Sequence, residues 1–158
     1  MPTSQLGAIA DALHQLGIVI LIGGMFFLLL VLRPASRDMG TGEERLLVYS
    51  HFFKHLFRWL WFALLLLWVS GVGKIFLSGY HHLPLQVRVM AGAGALMTLF
   101  TLLAHFAFYY QMDEAMAAEH LPRAAKRGSR VRKIMAVNLL IGLVVVVLGV
   151  FGPLTALS

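Results

Sequence analysis

The stretch LGIVILIGGMFFLLLVL, residues 16–32, is an uninterrupted apolar run that decides the fold class of this chain. The hydrocarbon core of a bilayer is about 30 Å thick, and a helix of roughly 20 apolar residues crosses it. The apolar character extends back to Leu6, and Pro34 stops the helix just after the run ends. The sequence therefore predicts a first transmembrane helix at about 6–32.

Three further apolar runs are long enough to span a membrane, at about 56–77, 87–110 and 134–157. No alternation of apolar and polar residues competes with these runs. Only helices and closed barrels can satisfy their backbone groups inside lipid, and four strands cannot close a barrel. We therefore expect an all-α protein, a single integral membrane domain over 1–158 that forms a four-helix bundle.

The composition agrees with a membrane location, since 59% of the 158 residues are hydrophobic and only 13% are charged. Soluble domains have about 45–50% apolar and about 25% charged residues. The absence of cysteine excludes disulfides, thiolate metal sites and cysteine redox chemistry. The formal net charge is +6, and the basic residues lie in blocks between the apolar runs. This pattern indicates contact with anionic lipid and requires no nucleic acid.

The basic residues predict the orientation, because cytoplasmic loops are enriched in Lys and Arg. The first connection with the start of the second span holds five, the third connection holds six, and only Lys74 and Arg88 flank the middle connection. We expect the first and third connections to face the cytoplasm and both termini to lie outside. The third connection should begin as a short helix and end as a basic tether.

A haem site is the first of two predicted metal centres. His105 falls near the cytoplasmic end of the third helix, at the level where His51 and His55 begin the second. Histidines at one level on facing helices suit haem ligation in a bundle, and His14 is an alternative ligand. Three basic residues would then meet the haem propionates: Lys54, Arg58 and Arg132.

The same stretch, SHFFKHLFRWLW at residues 50–61, also has a simpler interpretation. On a helix, its two histidines, lysine and arginine share one face, opposite Phe53, Leu56, Phe57 and Leu60. An amphipathic segment at the membrane rim, with basic side chains reaching the headgroups, would account for this pattern without any ligand.

A copper site is the second predicted centre, in the outer third of the first helix. His14 has Asp11 three residues before it on the same face, where a carboxylate can orient an imidazole. Met90 should lie at a similar depth, with Met25 and Met97 deeper in the bundle. Imidazole and thioether ligands suit Cu(I), although methionines in an apolar chain mostly serve packing.

Small residues within the predicted spans should allow close helix approach. Ala91 and Ala95 make a small-xxx-small pair on the third helix, which suits the bundle or a homodimer. The glycines expected to serve packing are Gly23, Gly24, Gly71, Gly73, Gly92, Gly94, Gly142 and Gly149.

The run ALHQLGIVILIGGMFFLLLVLRP, residues 12–34, resembles the first helix of the copper-resistance D-type (CopD-like) membrane proteins. The segments FFKHLFRWLW and VRKIMAVNLLIGLVVVV resemble the second and fourth helices of that family, the latter through Asn138 and Gly142. The chain shares weaker similarity, in its early Leu-His and in Asn138, with the four-helix membrane protoporphyrinogen oxidase type, which binds b-type haem. The resemblance implies a bacterial inner-membrane protein linked to copper uptake or tolerance.

Three functions follow as hypotheses from these residues and from the resemblance. The first is copper handling through His14 and the methionines, with a periplasmic metal partner. The second is a membrane redox protein with haem b and an electron partner. The third is a non-catalytic membrane scaffold. Whether the chain is an enzyme stays open at this point.

Overall fold

Four long helices make up the regular structure of a computed structural model that describes residues 2–38, 40–78 and 85–155. The described residues contain no strand, which confirms the all-α four-helix prediction. We number the helices α1 to α4 in chain order. Their bounds are 2–35 for α1, Gly42–Ser78 for α2, 85–117 for α3 and Leu121–Thr155 for α4.

All four helices are long and apolar enough to cross a membrane. Their outer surfaces carry many large apolar side chains, among them Val19, Val69 and Leu140, each more than 60% exposed. Exposed apolar surface on this scale is unfavourable in water and is covered by acyl chains in a bilayer. The chain is therefore a multi-pass membrane protein.

The helices are longer than the predicted spans because amphipathic turns extend them. Thr41 and Glu44 start α2 as a capping box: the Thr41 N–H donates to Glu44 Oε2 at 2.7 Å, and the Glu44 N–H donates to Thr41 Oγ1 at 3.4 Å. His51 thus lies more than two turns after the start of α2. The end of the fourth predicted span, 156–157, lies outside the described residues.

The predicted basic tether in the third connection is wrong. Residues 113–117 continue α3, and a tight turn follows, in which Glu119 adopts a positive φ of 56°. The basic residues that come next form the first turns of α4, which begins at Leu121 with Pro122 in its first turn. Proline is tolerated there because the first backbone N–H groups of a helix have no intrahelical partner.

The core is built by α1 packed along α2 and by α3 packed along α4. Gly17 of α1 lies against Ala63 of α2, where a Cβ on the glycine would come within 3.0 Å of the Ala63 carbonyl oxygen. Towards the end of the bundle that carries the basic connections, Phe53 and Phe57 are fully buried, with Met25 and Leu60 beside them in the same core.

Two helices contain a wide π-helical segment near that same end. The segments are Phe27–Leu32 in α1 and Leu103–Tyr109 in α3. Wide turns of this kind occur mostly as short insertions and frequently at functional sites. The second segment carries His105.

Candidate functional site

The polar face of α2 is the starting point of the candidate site. His51, Lys54, His55 and Arg58 are all exposed. The four predicted apolar partners, Phe53, Leu56, Phe57 and Leu60, are all buried. The predicted amphipathic pattern of this stretch is therefore confirmed.

A groove of about 530 Å³ runs between this face of α2 and the π-helical part of α3. It brings together four of the residues predicted to hold a haem: His51, Lys54, Arg58 and His105. Aromatic rings form much of its remaining wall. The other residues that line it are Ser50, Phe57, Trp61, Tyr109, Tyr110 and Asp113.

His105 is fixed in this groove by rings on both faces and by one hydrogen bond. Its imidazole stacks on Phe57, with ring centroids 4.5 Å apart, and on Tyr110 at 5.2 Å. The Trp61 indole N–H donates to His105 Nδ1 at 2.8 Å. Because an indole nitrogen can only donate, Nδ1 carries the lone pair and the neutral ring has its proton on Nε2.

His51 has the opposite tautomer. Its Nδ1 lies 3.1 Å from the carbonyl oxygen of Leu47, one turn earlier on α2. A carbonyl oxygen can only accept, so Nδ1 carries the proton and the lone pair is on Nε2. A backbone bond of this type at Nδ1 is the usual support for a metal-ligating imidazole. The groove thus combines an imidazole acceptor, His51, with an imidazole donor, His105.

The other two members of the predicted haem set lie away from the groove. His55 lines a separate depression with Arg58, Trp59 and Phe62. Arg132, on α4, does not line the groove, and its guanidinium lies over the ring of Tyr49 at 4.6 Å. Arg58 borders both depressions.

His14 lies at the opposite end of the bundle and is oriented by a residue of α2. Its Nδ1 lies 2.9 Å from Ser70 Oγ, and the Ser70 hydroxyl donates to the Leu66 carbonyl at 2.5 Å. Since that hydroxyl has only one proton, His14 Nδ1 donates to Ser70 and its lone pair is on Nε2. Asp11 forms an ion pair with Lys74, so the serine supplies the bond to His14 that the sequence suggested for the carboxylate.

The predicted methionine partners of His14 are distributed through the bundle. Met90, on α3, packs against α4, and its methyl carbon lies 2.8 Å from the position that a Cβ on Gly149 would take.

Met25 and Met97 are both buried in the core. Met97 lies beside Asn138, whose amide donates to the Met97 carbonyl at 3.2 Å and to Thr101 Oγ1 at 3.1 Å. No group of three or more His, Asp or Glu side chains in the described part of the chain is placed to hold a metal ion.

Sequence reasoning missed two residues that orient the histidines, Trp61 and Ser70. Nothing in the local spacing of Trp61 points to His105, 44 residues away. Ser70 did leave a signal, because a small polar residue within an apolar span commonly hydrogen-bonds to a neighbouring helix.

Comparison with models of protein families, with curated proteins and with solved structures finds no match to this chain. Its function must therefore be argued from the geometry of its own residues.

Proposed function

We propose that this chain is a membrane redox protein that binds a b-type haem in the groove between α2 and α3. The observation that carries the proposal is the gathering of His51, His105, Lys54 and Arg58 in one groove with aromatic walls. An imidazole can ligate haem iron, cations can pair with the propionates, and apolar surface can cover the ring.

In this proposal His51 would hold the haem iron, because its Nε2 carries a lone pair while its Nδ1 is held by the Leu47 carbonyl. Lys54 and Arg58 follow it by one and two turns on the same face of α2 and would pair with the propionates. A haem bound there would supply one-electron transfer.

In this proposal His105 is not a ligand of the haem iron, although its position in the sequence suggested that role. With Trp61 donating to Nδ1, its Nε2 carries a proton and has no lone pair for iron. The donor set therefore fits ligation by one histidine, with His105 presenting an N–H to the groove. Phe57 and Tyr110 keep the ring in this orientation.

The visible spectrum of the protein purified in detergent, oxidised and reduced, tests this function when combined with elemental analysis for iron and copper. We expect a Soret band that shifts on reduction, and iron close to one atom per chain. A colourless protein without iron would contradict the proposal, and retained copper would favour the second function below.

Copper handling at the opposite end of the bundle is the second candidate. It is favoured by the bond from His14 to Ser70, which leaves His14 Nε2 with its lone pair at a half-buried position. Copper would be the cargo, with His14 as a ligand. We expect His14→Ala to abolish Cu(I) retention and Ser70→Ala to weaken it about 10- to 100-fold. His120→Ala, at an exposed turn, should change nothing.

The orientation deduced from Lys and Arg belongs to the same proposal. The first and third connections would face the cytoplasm of a bacterial inner membrane, where anionic lipid attracts them. The haem groove then lies near the cytoplasmic face and His14 near the periplasmic one. Electrons would reach the groove from a partner on the cytoplasmic side, and copper would reach His14 from a periplasmic partner.

A further inference from the structure

Three arginines from three helices gather around Tyr49, at the end of the bundle that carries the basic connections. The Arg132 guanidinium of α4 lies over the Tyr49 ring at 4.6 Å. Arg33, in the last turn of α1, is close enough to Arg132 for their like charges to repel. Arg45 precedes Tyr49 by four residues on α2, which places both on one face of that helix.

Among the residues that the structure describes, these arginines have no carboxylate partner. In the described part of the chain, no Asp or Glu forms an ion pair with any of them, and the ion pair of Asp11 lies at the other end of the bundle. Arg45 Nε is also buried and has no hydrogen-bond partner among the described residues. A buried guanidinium N–H without a partner is costly, and neighbouring like charges add to that cost.

Tyr49 is held in place independently of the arginines. The Ser36 hydroxyl donates to the Arg33 carbonyl at 3.0 Å, so the Tyr49 hydroxyl donates to Ser36 Oγ at 2.8 Å. This bond ties the end of α1 to α2 and fixes the ring on which Arg132 stacks. Of the three arginines, Arg45 and Arg132 are half-buried and Arg33 is exposed.

We propose that Arg33, Arg45 and Arg132 form a binding site for a phosphate group. Planar guanidinium groups match phosphate oxygens with two hydrogen bonds each. Basic pockets between helices at the cytoplasmic side of membrane proteins suit the headgroups of anionic lipids, and soluble phosphate has the same chemistry. The site involves none of the residues of the α2–α3 groove and does not depend on haem binding.

Calorimetric titration of the delipidated protein in neutral detergent tests the site with two probes, inorganic phosphate and short-chain dihexanoyl phosphatidylglycerol. We expect saturable binding of at least one probe. Binding of phosphate itself identifies a soluble ligand, and binding of phosphatidylglycerol alone identifies a lipid headgroup. Saturation by neither probe would overturn the proposal.

Variants assign the binding to these side chains. Arg45→Gln and Arg132→Gln should each weaken it about tenfold, because each removes a charge-assisted hydrogen bond. Lys126→Gln, on the exposed side of the same basic segment of α4, should leave it unchanged, and an equal loss in this control would overturn the assignment. If Arg132→Gln does not fold, Arg132→Lys keeps the charge without the paired donors and should still weaken binding.

Discussion

The imidazole of His105 owes its tautomer to a single donor, the indole of Trp61. We predict that nitrogen NMR of histidine-labelled protein finds the proton of His105 on Nε2. Trp61→Phe keeps an aromatic ring but removes the donor, so the tautomer preference should be lost. Trp68→Phe removes a comparable bond, to Thr98, and serves as the control. A His105 signal that Trp61→Phe leaves unchanged would contradict this assignment.

A second prediction at the residue scale concerns Asn138, which is fully buried. Its amide donates to the Met97 carbonyl and to Thr101 Oγ1. We expect Asn138→Ala to lower the free energy of unfolding in detergent by roughly 1 kcal/mol, the usual size of interhelical hydrogen bonds in membranes. Val137→Ala, at a neighbouring lipid-facing position, should have a much smaller effect. Equal effects of the two changes would show that the amide bonds contribute nothing.

The sequence was sufficient to place His51, Lys54, Arg58 and His105 towards the same end of the bundle, where they line one groove, because helical periodicity and the order of the spans determine depth. It could not determine which imidazole nitrogen carries the proton. That depends on partners such as Trp61, and the contact across two helices leaves no local pattern. The sequence also could not determine the contacts of Arg132. Its charge suggested a partner for the haem propionates, but its guanidinium lies over the ring of Tyr49.

At the scale of the helices, glycines divide into those that allow contact and those that face open space. A Cβ on Gly17 would lie 2.8 Å from Leu67 Cγ and 3.0 Å from the Ala63 carbonyl oxygen, whereas a Cβ on Gly23 would meet nothing within 4 Å. We predict that Gly17→Ala lowers the free energy of unfolding by about 1–3 kcal/mol through overpacking. Gly23→Ala should be neutral or slightly stabilising, since alanine has the higher helix propensity.

Chemical unfolding of the two variants in the same detergent compares them directly. A Gly17→Ala variant as stable as the wild type would show that α1 and α2 are not in contact there. Four of the glycines predicted to serve packing do have neighbours within 4 Å of an added Cβ: Gly24, Gly71, Gly142 and Gly149. Gly23, Gly73, Gly92 and Gly94 have none among the described residues.

The sequence was sufficient to predict that four helices form, but not how long each helix is. Hydropathy identifies the apolar part of each helix but undervalues turns where charged residues alternate with apolar ones, as in the first turns of α4. The start of α2 could have been predicted, because the Thr41-x-x-Glu44 spacing is a capping-box pattern. The two π-helical segments have no such signature in the residues that form them.

At the scale of the whole molecule, the absence of native cysteine makes the orientation directly testable. We predict that a cysteine at Arg37 or Lys126 reacts with a membrane-impermeant maleimide only when the cytoplasmic face is exposed. A cysteine at Gln5 should react from outside intact cells. Labelling of Arg37→Cys in intact cells would reverse the proposed orientation.

The central claim is that His51, and not the neighbouring His55, binds a haem in the groove between α2 and α3. The measurement that tests it most directly is the haem content per chain of the wild type, His51→Ala and His55→Ala, purified in parallel. Both histidines are exposed on the same face of α2, but His51 lines the groove with His105 and His55 does not. The account predicts about one haem per chain in the wild type and in His55→Ala, and none in His51→Ala. A wild type without haem, or a His51→Ala variant that keeps it, would contradict the account.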